Sequence, residues 1–150
     1  MSHTPDLTTA PITGFWRTWL RIWCGAVALF GIILIGAGLE ATSGPTRLFF
    51  TLIDGAQPLD LDAQARFLLC VLGAVTLGWS LTLSIAMAAA DALGAQGRGV
   101  WRQIALAATV WFVIDTALSV STGYGLNGVS NLILYGAFLL PILATGVWRA

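Results

Sequence analysis

The sequence predicts an all-α fold, an integral membrane four-helix bundle with a short interfacial helix in its first external loop. Composition is the first of three observations behind this. Of 150 residues, 57% are hydrophobic and 9% charged, and the mean hydropathy is +0.85. An ordinary soluble domain carries roughly a quarter charged residues. The second observation is a set of four apolar runs, each long enough for a hydrocarbon core of about 30 Å. The third is an uneven placement of arginine and tryptophan between the two ends of those runs. Together they exclude a disordered tail, a secreted disulfide scaffold and a soluble enzyme of normal composition.

Residues 1–14, with Pro5 and Pro11 and little hydrophobicity, read as a flexible cytoplasmic tail. Residues 15–150 then form one four-span domain. The first span covers about 22–39 and is uncharged. Arg17 and Arg21 ahead of it, and Gly36, Ala37 and Gly38 near its end, imitate a signal peptide. An apolar stretch of full span length reads instead as a retained helix. Its Cys24, Ala28, Gly31 and Gly38 form a small-residue stripe, suited to close packing within the bundle or between protomers.

Residues 40–65 make the one long connection. Within it Ser43 suits a cap, Pro45 a first turn and Gly55 a stop. Leu48, Phe49, Leu52 and Ile53 form one apolar stripe, so a short helix is expected on the outer interface, roofing the bundle through Phe49 and Phe50. Asp60 and Asp62 suit the positive end of a long second helix, whose span covers about 67–90. Residues 92–99 are a glycine-rich turn without phosphate-loop spacing. The third span, about 100–120, holds Arg102 near its start and Asp115 deep within. After a tight turn over 121–127, Asn127 suits the cap of a fourth, uncharged span over about 129–147.

Helices satisfy their own backbone groups in lipid, and these runs are too long for barrel strands. Arg17, Arg21, Arg98, Arg102 and Arg149 fall on one side, with Arg47 and Arg66 on the other. Positive charge marks the cytoplasmic face, so both termini are expected there. Trp16, Trp19, Trp23, Trp101 and Trp148 gather at the same end, as an interfacial belt would.

Asp115 is the expensive residue. An aspartate in mid-span costs about 2.5–3.5 kcal/mol on insertion scales, so it is expected to face protein or water. Trp111, Ser119 and Thr122 share its face, and the fourth helix carries Asn127, Asn131, Tyr135 and Phe138 at matching spacing. Arg66, Cys70, Gly73, Leu77, Ser80 and Ser84 line one face of the second helix. A polar pocket is therefore expected from Asp115, Ser119, Asn127, Asn131, Tyr135 and Arg66. Tyr135 should lie at nearly the depth of Asp115, and Trp79, Trp111, Phe49 and Phe50 should supply apolar ligand contacts. The alternative is that Asp115 bonds Tyr135 or Asn131 and simply holds the third and fourth helices together.

Familiar chemistry is missing from the sequence. His3 is the single histidine, which rules out a bis-histidine haem and a histidine zinc site. Cys24 and Cys70 fall at opposite ends of the bundle and form no C-x-x-C, so each reads as a packing residue. No catalytic residue, metal site or nucleic-acid stripe is assigned.

The segment Leu72-Gly73-Ala74-Val75-Thr76-Leu77-Gly78-Trp79, then Trp111-Phe112-Val113-Ile114-Asp115-Thr116 followed by Asn127 and Asn131, resembles the DoxX-like group of small bacterial four-helix membrane proteins. The likeness covers about the last ninety residues. It implies the fold class, a bacterial origin and the inner membrane. Some DoxX-like proteins are associated with quinone-linked sulfur oxidation or redox complexes, but no redox-active motif is present here to carry that over.

The function expected is a non-enzymatic accessory or scaffold subunit, holding a lipid, quinone or other apolar molecule and joined by a protein partner or a second copy of itself. A second reading is a proton- or cation-coupled transporter or channel component using Asp115, which needs a continuous wet path to that residue. A third is a membrane enzyme on a lipophilic substrate.

Overall fold

The computed structural model describes Ile12, residues 14–54 and residues 59–147. His3, Pro5, Pro11, Gly55, Trp148 and Arg149, which carried parts of the tail, loop and orientation readings, lie outside them. The described elements are all helical. In order they are α1 (Phe15–Ile35), α2 (Gly44–Asp54), α3 (Ala63–Ala92), α4 (Arg98–Ser121) and α5 (Gly125–Thr145), with short 3-10 segments at Gly36–Gly38, Glu40–Thr42 and Gly94–Gly97. Four of the helices are long and apolar enough to cross a membrane, which suggests a multi-pass membrane protein. Their outward faces agree: Ile22, Leu29, Leu68, Ile85, Val113, Leu132 and Leu143 are all exposed. Helices that are apolar on every side are solvated by hydrocarbon or buried.

The four long helices form a ring in the order α1, α3, α4, α5. Packing is extensive between α1 and α3 and between α4 and α5, sparser between α3 and α4 and between α5 and α1, and absent across both diagonals. Two tight helix pairs thus lean together and leave room between them.

Glycine sets the first pair. A Cβ on Gly31 would stand 2.8 Å from the Gly73 carbonyl oxygen and from Leu77 N, and one on Gly73 would stand 2.6 Å from the Gly31 carbonyl oxygen. Only hydrogen at both positions lets the two backbones touch. Ser80 Oγ then donates to the Cys24 carbonyl at 2.7 Å, and Cys70 Sγ to the Ile35 carbonyl at 3.4 Å. The stripe of small residues on α1 therefore packs inside the chain. So does the α3 face bearing Cys70, Gly73, Leu77 and Ser80, which the sequence reading had turned toward the pocket. Both cysteines are free.

Pro141 sets the contact between α1 and α5. It sits inside α5, where it has no N–H for the Ala137 carbonyl. Trp19 Nε1 supplies that missing donor at 2.8 Å, and Trp23 Nε1 bonds the neighbouring Leu134 carbonyl at 2.9 Å. Trp23 and Trp101 are buried in the bundle, whereas Trp16 and Trp19 are half-buried.

Helix ends depart from expectation for local reasons. α1 starts at Phe15 rather than near residue 22, because Leu20, Trp23 and the Arg17–Asp91 pair at 2.8 Å fasten its first turns to the bundle. Ile12, assigned to the tail, is buried there too. Asp62 caps α3, accepting from Ala65 N at 2.7 Å. Gly123, with φ of 94°, reverses the chain so soon after α4 that α5 begins at Gly125. Asn127 is thereby inside α5 and is not its cap.

Candidate functional site

The space between the two helix pairs is a cavity of about 910 Å³. All five helices contribute to its wall. Its floor is aromatic: the Trp79 and Trp111 rings lie 5.5 Å apart, and Trp23 lies beyond, 6.2 Å from Trp79 and 5.3 Å from Phe138. Phe30, Leu34, Leu72, Val75 and Leu134 continue the apolar wall. The roof is α2, where Phe49, Phe50 and Ile53 face the cavity. Phe49 packs on Phe30 with centroids 4.8 Å apart, and Phe50 meets Tyr124 edge-on at 6.5 Å. Thr46 fixes this helix by donating to the Ile33 carbonyl at 2.6 Å.

The expected α2 stripe divides in two. Phe49 and Ile53 turn inward with Thr46, whereas Leu48 and Leu52 are 60% and 66% exposed on the opposite side. Ser43 does not act through its hydroxyl as a cap; it donates to the Glu40 carbonyl at 3.0 Å.

The polar groups of the cavity are gathered on the α4–α5 wall. Asp115 Oδ1 accepts from Ser119 Oγ at 3.1 Å and from Asn127 Nδ2 at 3.2 Å, and the same Asn127 amide donates to Ser119 Oγ at 2.8 Å. Asn131 Nδ2 donates to Thr116 Oγ1 at 3.4 Å. Asp115, Ser119, Asn127 and Asn131 all line the cavity, with Thr122, Tyr124 and Ser130 toward the roof.

Two expected members stand elsewhere. Tyr135 shares a 2.7 Å hydrogen bond with Thr109 and stacks on Phe112 at 4.4 Å, about one turn deeper than Asp115. The cause is register: α5 starts early and sets Asn127 beside Ser119, which carries Tyr135 past the level of Asp115. Arg66 pairs with Glu40 and donates to the Ala37 carbonyl at 2.8 Å and the Leu61 carbonyl at 3.0 Å. It closes the open end of α1 and does not reach Asp115.

Arg47 joins this second cluster, donating to Glu40 at 3.2 and 3.3 Å and to the Leu59 carbonyl at 2.8 Å. The hydrogen bond from Arg66, and then that from Arg47, holds the Glu40 carboxyl below its ordinary value. The cluster ties the first turn of the roof helix to the segment that leads into α3.

Thr109, Thr116, Phe30 and Tyr124 were missed by sequence reasoning. A signal existed for the first two, since Thr109, Phe112, Thr116 and Ser119 recur at three- and four-residue spacing along one face of α4. Among the described residues no group of three His, Cys, Asp or Glu side chains is placed to hold a metal. No family model, curated protein or solved structure matches the chain.

Proposed function

We propose that this protein is a non-enzymatic membrane subunit, of the bacterial inner membrane with both termini in the cytoplasm, that holds a lipophilic molecule such as a lipid or quinone between its two helix pairs. The observation that carries the reading is the cavity of about 910 Å³, aromatic on its floor and roof and polar on a single wall. Ligand sites of drug-sized molecules run from about 300 to 1,000 Å³ and are mostly apolar with a few placed polar groups. Among the described lining residues Asp115 is the only acid, so acid–base work on a substrate would lack a partner at that depth. The resemblance to DoxX-like proteins supports the bacterial inner membrane and not the ligand.

Coupled transport draws on the same Asp115, which is half-buried and faces the cavity rather than being sealed between helices. The wet path that role requires would have to pass the Trp79–Trp111 floor and then Trp23 and Phe138, all apolar rings. Ligand holding needs no such path and is the better reading.

Native mass spectrometry of the protein released from nanodiscs tests it. A defined lipophilic mass retained at one per chain is the expected result. Bare protein that nonetheless moves protons or cations across vesicles, with the flux abolished in Asp115→Asn, would replace the reading by transport.

A further inference from the structure

Among the described residues the cavity wall has acceptors to offer and no positive charge. Ser119 and Asn127 both donate to Asp115 Oδ1, and the Asn131 amide is engaged by Thr116. Most donors of the polar wall are thus directed at one another or at the helix backbone; the Tyr124 hydroxyl and the second Asn131 N–H remain as neutral donors, and the carboxylate of Asp115 is the charged group left for an occupant. No arginine is among the described residues that line the cavity: Arg47 and Arg66 are held by Glu40, and Arg17 by Asp91. A phosphate or carboxylate head would meet Asp115 with nothing to neutralise it, in surroundings where like charges repel strongly.

The cavity also has a side opening. Leu72 and Val75 on α3 and Leu118 on α4 line it, yet each is more than half exposed. They sit past the Trp79–Trp111 contact, toward the α2 end, where α3 and α4 no longer touch ring to ring. An occupant arriving there comes from the level of the acyl chains, under the roof formed by α2.

Resting on the ligand-holding reading above, we infer that the cavity selects long-chain amphiphiles whose head donates hydrogen bonds and carries no negative charge, an alcohol or an amine, with the head on Asp115 and the chain along Trp79 and Trp111. Charge complementarity picks the head, and the lateral opening between α3 and α4 admits the chain. By the same argument a quinol, which donates through its hydroxyls, is held better than the corresponding quinone.

The test is native mass spectrometry of the purified protein incubated with chains of one length ending in an amine, an alcohol, a carboxylate or no head group. The amine and alcohol should be retained at about tenfold lower concentration than the carboxylate, the difference made by one hydrogen bond to a charged group. Asp115→Asn, which keeps its size and its contact with Ser119, should remove that preference. Equal retention of all four chains, or preference for the carboxylate, would overturn the head-group inference and leave the ligand-holding reading intact. Retention of none would overturn both.

Discussion

Where α1 meets α3, backbone touches backbone through Gly31 and Gly73; where α4 meets α5, the helices are joined by side chains, Asp115 and Ser119 to Asn127, Thr116 to Asn131 and Thr109 to Tyr135. The first seam is steric and has no slack. The second has rungs that can be removed singly, and Gly128 at its tightest point leaves an added Cβ 3.4 Å from Thr116 Cγ2, ordinary contact. In lipid there is little hydrophobic drive between helices, so association rests on close packing and interhelical hydrogen bonds. In this chain glycine contact leads in the first pair, with Ser80 and Cys70 adding bonds to α1 carbonyls, whereas side-chain-to-side-chain bonds lead in the second, and the cavity's polar groups belong to that second pair.

The sharpest way to break the comparison is at the glycines. Gly73→Ala should cost about 1–3 kcal/mol, as overpacking does, and Gly73→Leu should prevent folding. Gly128→Ala should stay within about 0.5 kcal/mol of the parent. Unfolding titrations in mixed detergent read all three, and equal losses for the two alanine variants would erase the distinction between the seams.

Next comes the α1–α5 contact. Trp19→Phe leaves the Ala137 carbonyl without a donor, at about 1–3 kcal/mol. Pro141→Ala returns the N–H that α5 lacks, so in the Trp19→Phe background it should recover most of the loss. A double-mutant cycle showing no coupling between the two positions would detach the indole from the proline.

Removing one rung of the polar seam should matter less. Ser119→Ala is expected to cost about 0.6 kcal/mol, the mean for interhelical hydrogen bonds in a membrane protein. A loss as large as that at Gly73, read in the same titration, would mean that the α4–α5 seam depends on one bond rather than on four spread over three rungs.

The smallest effect lies at the roof. Because Arg66 and Arg47 lower the folded-state value of Glu40, its contribution is present above the ordinary glutamate value of about 4.3 and is lost as pH falls through the folded value. Protection factors over residues 44–54, with the intrinsic pH dependence of amide exchange divided out, should therefore be unchanged between pH 8 and 5 and fall only below about pH 4, and Glu40→Gln should show the low protection at every pH. Protection that already falls near pH 6 would point to another group.

The four helices were legible because an apolar run of about 20 residues has few other readings. Their ends were not, since a helix continues through Trp16, Arg17 and Trp19 as readily as through leucine once those side chains find partners on α3 and α5. Much of the site was legible too: Asp115, Ser119, Asn127 and Asn131 share a wall as their spacing implied, and Trp79, Trp111, Phe49 and Phe50 line the same space. The placing of Tyr135 failed on register, which a three-residue change in where α5 begins is enough to shift by most of a turn. Arg66 was misassigned because its partner, Glu40, comes near only when the chain folds back after α1. Pro141 was in plain view, and the carbonyl it leaves four residues earlier is a clue to Trp19 that periodicity alone does not supply.

The helix α3 keeps two separate accounts of its surface: Cys70, Gly73 and Ser80 meet α1, whereas Leu72, Val75, Thr76 and Trp79 meet the cavity. A substitution in the second group therefore leaves the first untouched. Such a scaffold can drift from one occupant to another by single steps, each intermediate still folded, and descendants of this chain would be expected to keep the glycines while their cavity walls diverge.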